Sequence, residues 1–296
     1  MKDFPILLFD SSVLEVIIEE RMIDFHTHIF SPAVREGREK FFARNRIFHS
    51  IYADPKAKMV GLEELIEVMD REGVERAVVC GFPWEELEVC QRENEYLLEA
   101  MVRYPRRILP FVTFPWGKEG LEELERALGA GARGVGEIAP GTYEERLIPL
   151  EEMREAFSMA QEAGVPVLIH YNEPLGHDYP GKGKVGLREI EVLIRTFQGV
   201  DIVLAHLGGG FFFYELMPEI RKICSRVWYD TAAAPFLYDR KIYRIAFQVV
   251  GERLLFGSDY PLLSPSRYLR DMEELDEGEK EALLEANARR LLRLTD

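Results

Sequence analysis

The chain has 296 residues, 47% hydrophobic and 30% charged, with 37 Lys and Arg against 52 Asp and Glu and a formal net charge of -15. That apolar share supports a sizeable core and excludes a wholly disordered chain, and no apolar run approaches the ~18–20 residues a membrane span needs. So acidic a surface repels polyphosphate backbones, so neither nucleic acid nor a membrane is expected as a partner. The opening MKDFPILLFDSSVLEVIIEE carries one Lys, a short apolar patch and then acids, which makes a poor signal peptide. Three cysteines, none in a C-x-x-C, argue against disulfides and against a thiol-ligated zinc, so a reducing, cytoplasmic location is expected. Asn and Gln together number eight among abundant Glu and Arg, a composition that leans toward a thermophilic source.

Residues 1–21 read as an N-terminal extension. The first strand, Met22–His26, is followed by an irregular stretch, residues 31–60, and a helix at Leu62–Glu72. Strand and helix then alternate: Arg76–Gly81 with Glu88–Tyr104, Ile108–Phe114 with Gly120–Ala130, and Gly134–Ile138 with Leu150–Ala163. The pattern continues with Val165–His170 and Gly186–Phe197, then Asp201–His206 and Phe212–Cys224. Arg226–Asp230 with Tyr238–Val249 and Leu254–Gly257 with Ser266–Leu275 complete it, and Glu279–Leu294 closes the chain. Apolar runs alternating with helix-period segments mean βαβ units and a parallel sheet. Eight of them predict a single α/β domain, a (β/α)8 TIM barrel, over residues 1–296. An open doubly wound sheet would want a G-x-G-x-x-G after its first strand, and none is present. Gly73 and Gly164 stand where left-handed helix caps are wanted. Residues 31–60 would sit over the mouth as a lid, a substrate wall or an oligomer contact.

Four of the six histidines fall at the C-terminal ends of these strands. DFHTHIF sets His26 and His28 two residues apart, a spacing that turns both to one side of an extended chain. His170 ends PVLIH, His206 ends DIVLAH, and Asp259 ends LLFGSD on the eighth strand. One such histidine is usually a packed residue, but four at equivalent heights with an acid point to a metal. Neutral imidazole and carboxylate suit zinc, manganese, iron or cobalt.

These residues also carry a resemblance. H-x-H on the first strand, Glu on the fourth, His on the fifth and sixth and Asp on the eighth resemble the amidohydrolase superfamily. AHLGGG, FGSDYP and NARRLL are similar to the amidohydrolase-related branch that includes aminocarboxymuconate-semialdehyde decarboxylase-like enzymes. The resemblance implies that His26 and His28 hold a buried metal and that His170 and His206 hold a second. Asp259 would ligate the first and act as general base. Glu137, in RGVGEIAPG, would bridge them as the corresponding Glu does in TatD-type enzymes. It implies divalent cations, two per chain, Zn2+ or Mn2+. A bridging water brought toward a neutral pKa would then hydrolyse an ester, amide or phosphoester of a small molecule. The alternatives are a single-metal decarboxylase, with His206 a free acid–base group, and a metal-binding scaffold without catalysis.

The remaining candidates are weaker. His177, Lys182 and Lys184 lie in the loop after the fifth strand, Arg240 follows the seventh, and Trp84 and Trp116 follow the second and third. His177, Arg240 and Trp84 are taken as substrate contacts, Arg240 by pairing a carboxylate or phosphate. Asp230 is placed to orient other groups, Cys80 reads as a buried small hydrophobe, and His49 as surface. Phe211–Tyr214 packs a helix on the barrel or forms a homo-oligomer contact. The near P-loop from Gly176 to Lys182 lacks its Ser or Thr and is rejected.

Overall fold

The computed structural model describes residues 22–141 and 148–295. The expected N-terminal extension lies outside the described residues. Eight parallel strands follow one another around the sheet in chain order. They are β1 (Met22–Thr27), β2 (Val74–Cys80), β3 (Ile108–Val112), β4 (Gly134–Ile138), β5 (Val167–Ile169), β6 (Ile202–Leu204), β7 (Val227–Asp230) and β8 (Leu254–Leu255). The stretch after β8 returns to β1: Phe25 N donates to Phe256 O at 2.7 Å, Asp259 N to His26 O at 2.8 Å, and His28 N to Tyr260 O at 2.7 Å. These bonds join the last strand to the first and give the (β/α)8 barrel expected from the alternation.

The helices are α1 (Pro32–Glu36), α2 (Arg46–Tyr52), α3 (Leu62–Glu72), α4 (Leu87–Arg103), α5 (Lys118–Gly129), α6 (Leu150–Ala163), α7 (Leu187–Thr196), α8 (Pro218–Ile223), α9 (Ala234–Leu237), α10 (Ile242–Val250) and α11 (Pro265–Leu269). A final helical stretch runs from Glu277 to Leu292 through a five-residue π segment. α3 shows why the sequence folds this way. Leu62, Leu65, Val68 and Met69 form its buried stripe, Glu64 reaches back to the Gly61 N–H, and Gly73 ends it at φ 75°. Gly164 ends α6 in the same way at φ 67°.

Side chains inside the strands form one core, in which Phe25 and Phe111 meet edge to face at 5.5 Å. The outer strand faces and the helices form a second, larger core. A third cluster belongs to residues 31–60. Ser31 starts it, held by Glu93 through its Oγ at 2.6 Å and its N–H at 3.0 Å. Asn45 caps α2 and ties it to the β2 loop through Pro83 O at 2.8 Å. Phe30, Phe41, Phe48, Tyr52, Phe82 and Trp84 then pack ring on ring and fix this segment beside the barrel mouth. The expected helix Phe212–Cys224 is broken instead. Residues 206–216 form tight turns, and only Pro218–Ile223 is α-helical, because five residues from His206 to Gly210 have left-handed backbone. Phe211 and Phe212 pack inward while Phe213 and Tyr214 stay partly exposed. The three cysteines are buried and free. Among the described residues no helix is long and apolar enough to cross a membrane.

Candidate metal centre

The strand ends bring six side chains together. His26 Nε2 lies 3.1 Å from His28 Nε2, 3.5 Å from Glu137 Oε2 and 3.9 Å from Asp259 Oδ1. His28 Nε2 lies 3.6 Å from both Glu137 Oε2 and Asp259 Oδ1. The other oxygen of Glu137, Oε1, sits 2.9 Å from His170 Nδ1 and 3.6 Å from His206 Nε2, and those two nitrogens are 3.2 Å apart. The donors thus form two groups, His26–His28–Glu137 and Glu137–His170–His206, with one carboxylate common to both.

Each ring is oriented from behind. His26 Nδ1 donates to Asp230 Oδ2 at 2.9 Å, and His28 Nδ1 is held by Cys80 O at 3.3 Å. His206 Nδ1 donates to Ala232 O at 3.0 Å, and His170 is reversed, with Nε2 against Gly181 O at 3.0 Å. In each neutral ring the proton is therefore committed outward and the inward nitrogen offers a lone pair. Four lone pairs facing one another and two carboxylates at 3–4 Å require a cation or shared protons between them. This donor set fits divalent manganese, zinc, iron or cobalt, and lacks the all-oxygen character of a calcium or magnesium site.

The titration behaviour shows the same demand. Burial acts to raise the Glu137 carboxyl, but the charges of His26 and His170 and bonds from His170 and His206 outweigh it and hold it well below the usual range. Burial also opposes protonation of His206, yet Glu137 and Asp259 push that ring up to about 9. His28 goes the other way, lowered by burial and by the neighbouring His26 charge.

Local backbone explains the motifs. His206 and Asp259 both adopt left-handed φ, at 57° and 59°, a conformation that costs a non-glycine residue about 1–2 kcal/mol. In the run HLGGG the left-handed turn continues to Gly210, and a Cβ on Gly209 would stand 2.3 Å from the Asn172 carbonyl oxygen. The turn that presents His206 is thereby pressed against the base of the loop that follows β5. Asp230 ties two more parts together, since its Oδ1 accepts from the His206 N–H at 2.9 Å while its Oδ2 holds His26.

The centre forms part of the wall of a cavity of about 560 Å3, whose other walls include Ile47, Tyr52, Phe82, Phe236 and Leu262. His177 lines this cavity, as does Tyr179, which the sequence did not single out. Arg240 and Trp84 do not line it. Arg240 is exposed, and Trp84 is buried in the aromatic cluster behind. Lys182 is bound to the carbonyls of Leu175 and His177, both at 2.9 Å, and so folds its own loop. Tyr52 also lines the cavity and is likewise not singled out by the sequence. Its only sequence signal is its place on the apolar stripe of α2.

With this geometry in view, the comparisons with known proteins are consistent. The amidohydrolase family model (Amidohydro_2) matches residues 23–294. The chain belongs to the amidohydrolase family. Among solved structures, 5-carboxyvanillate decarboxylase from Sphingomonas paucimobilis is similar at 18% identity, covering 93% of this chain and 99% of that one, with a TM-score of 0.71. A 2,6-dihydroxybenzoate decarboxylase complexed with 2,6-dihydroxybenzoate matches at 17% identity over 93% of this chain and 99% of its own, with a TM-score of 0.70. Dihydroxybenzoic acid decarboxylase from Polaromonas sp. JS666, with bound manganese and the inhibitor 2-nitroresorcinol, matches at 16% identity over 92% and 97%, with a TM-score of 0.69. The fold is thus shared with these structures. These neighbours turn attention from the expected hydrolase to the decarboxylase alternative.

Proposed function

We propose that the chain is a divalent-metal decarboxylase of a small, planar carboxylate. The observation that carries the reading is the cavity: a cluster of imidazoles and carboxylates set in apolar and aromatic walls, with room for a small ring whose carboxylate would face the cation. The decarboxylases that share this fold, one of them with bound manganese, support it. On this reading His26, His28, His170 and Asp259 hold the ion. A bound cation would anchor the substrate's oxygens and stabilise negative charge as the carbon–carbon bond breaks. The carbon that loses CO2 must gain a proton. His206 is placed to give it, with Nδ1 fixed by Ala232 O and Nε2 turned inward. Apolar walls exclude water from the charge that develops.

A second reading, hydrolysis by a metal-activated hydroxide, is favoured by one specific observation. The two oxygens of Glu137 face two separate histidine pairs, the arrangement of a bridging ligand between two ions. Asp259 would then take the proton from the attacking water.

One experiment addresses both. Protein stripped with chelator and reloaded with Mn2+ is offered hydroxybenzoates and other small unsaturated carboxylates, and in parallel a panel of esters, lactones, amides and phosphoesters. Manganese-dependent release of CO2 is expected, abolished by chelation. Turnover confined to the hydrolytic panel would refute decarboxylation and move the assignment to the second reading.

A further inference from the structure

The segment 31–60 places one phenol at the centre. Tyr52, the last residue of α2, is 8% exposed and lines the same cavity as His28, Glu137 and Asp259. Its ring is clamped by Phe30 at 5.2 Å, Phe48 at 4.8 Å and Phe82 at 6.1 Å between ring centres. A ring held on three sides has little freedom to turn its hydroxyl elsewhere. That hydroxyl makes no hydrogen bond to a described residue and is not a sealed, unpartnered atom, so it opens onto the cavity its residue lines.

A clamped phenol on the wall of the cavity that also carries His28, Glu137 and Asp259 is a donor within reach of a molecule bound there. We propose that Tyr52 is a ligand-binding residue, donating a hydrogen bond from its hydroxyl to a carboxylate or phenolate oxygen of the molecule seated over the metal centre. The inference rests on the reading of this cavity as the substrate site, but not on which reaction occurs there. It gives the 31–60 segment a role beyond covering the mouth: it supplies the second anchor, and the cation supplies the first. Two anchors on a flat ring fix its orientation, which a single metal contact leaves free to swivel.

The test is binding to Mn2+-loaded protein, wild type against Tyr52→Phe, a change that removes one oxygen and keeps the clamped ring. The probes are 2-nitroresorcinol, which the Polaromonas enzyme holds with manganese, and nitrobenzene, a ring of similar shape without phenolic oxygens. Calorimetry should show Tyr52→Phe weakening 2-nitroresorcinol about tenfold, the weight of one hydrogen bond to a charged acceptor. Nitrobenzene binding, Mn2+ affinity and melting temperature should stay unchanged. Equal weakening of both probes would assign Tyr52 to packing and overturn the proposal. So would a loss under twofold, or a wild type that does not bind 2-nitroresorcinol. A protein that hydrolyses esters, releases no CO2 and still shows the tenfold loss would sink the decarboxylase reading while leaving the role of Tyr52 intact.

Discussion

Replacing Gly209 by Ala attacks the left-handed turn that presents His206, and the structure sets the size of the effect. Gly209 has φ 52° and ψ 30°, where an Ala costs about 1–2 kcal/mol, partly offset by roughly 0.4–1 kcal/mol from a stiffer unfolded chain. The new Cβ would lie 2.3 Å from Asn172 O and 2.5 Å from Asn172 C, both backbone atoms that no rotamer change can move aside. Relieving such an overlap by backbone shift costs about 1–3 kcal/mol more. The sum is roughly 2–4 kcal/mol, or a fall in melting temperature on the order of 5–10 °C for a chain of this size. Gly129 provides the comparison. It is the exposed last residue of α5, and a Cβ there would meet nothing within 4 Å, so Gly129→Ala should stabilise by about 0.5–1 kcal/mol. Both variants are melted in excess chelator, so that metal binding does not contribute to the apparent stability. Metal affinity is then titrated separately, and Gly209→Ala should weaken it because His206 opens the distorted turn. A Gly209→Ala protein that melts within a degree of wild type, or no later difference between the two variants, would refute the steric account.

Two further outcomes follow from buried charges. Glu137→Gln keeps the shape but gives up a charge shared between two histidine pairs, so Mn2+ affinity should fall at least tenfold; elemental analysis then counts the ions. A wild type saturating at two ions and a variant at one would support the bridge, whereas one ion in both would favour the single-metal site. Arg253→Ala should cost about 3–5 kcal/mol in urea unfolding, because it strands the fully buried Glu215 carboxylate. Arg253→Met with Glu215→Leu should recover most of that loss, and a double variant no more stable than the single one would contradict the desolvation argument.

The barrel and the centre were legible in the sequence for a common reason. A parallel strand buried on both faces reads as a short apolar run, and in a barrel the last residue of such a run points to the mouth. So HTH after DF, and the terminal histidines of VLIH and VLAH, are placed at the mouth by sequence pattern, as is Asp230 at the end of VWYD. The loops obey no such periodicity. Phe212–Cys224 looks helical because its apolar residues recur at helical spacing, but spacing does not report backbone hand. The three glycines before it release the chain into a left-handed turn that a helix cannot start from. Arg240 was chosen for its chemistry and its place after a strand, yet the chain between Asp230 and Arg240 spends its length on α9 and carries the guanidinium to the exposed surface. Trp84 is kept out of this cavity's wall for the opposite reason. It stands in the loop after β2, but the aromatic side chains of α2 are closer partners than the cavity, and they draw it into their own core.

The same competition placed Tyr52. Its ring packs in the aromatic cluster while the residue also lines the cavity, so on the proposal above packing and binding are served by different ends of one side chain. Sequence pattern registers only the apolar end, which is why the residue reads as core. The candidate metal ligands differ in having no apolar end to satisfy. Their burial is explained only by one another, by Asp230 and the carbonyls behind them, and by a cation in front. That makes strand-end histidines recognisable one at a time, and leaves the wall that selects the substrate to be found in three dimensions.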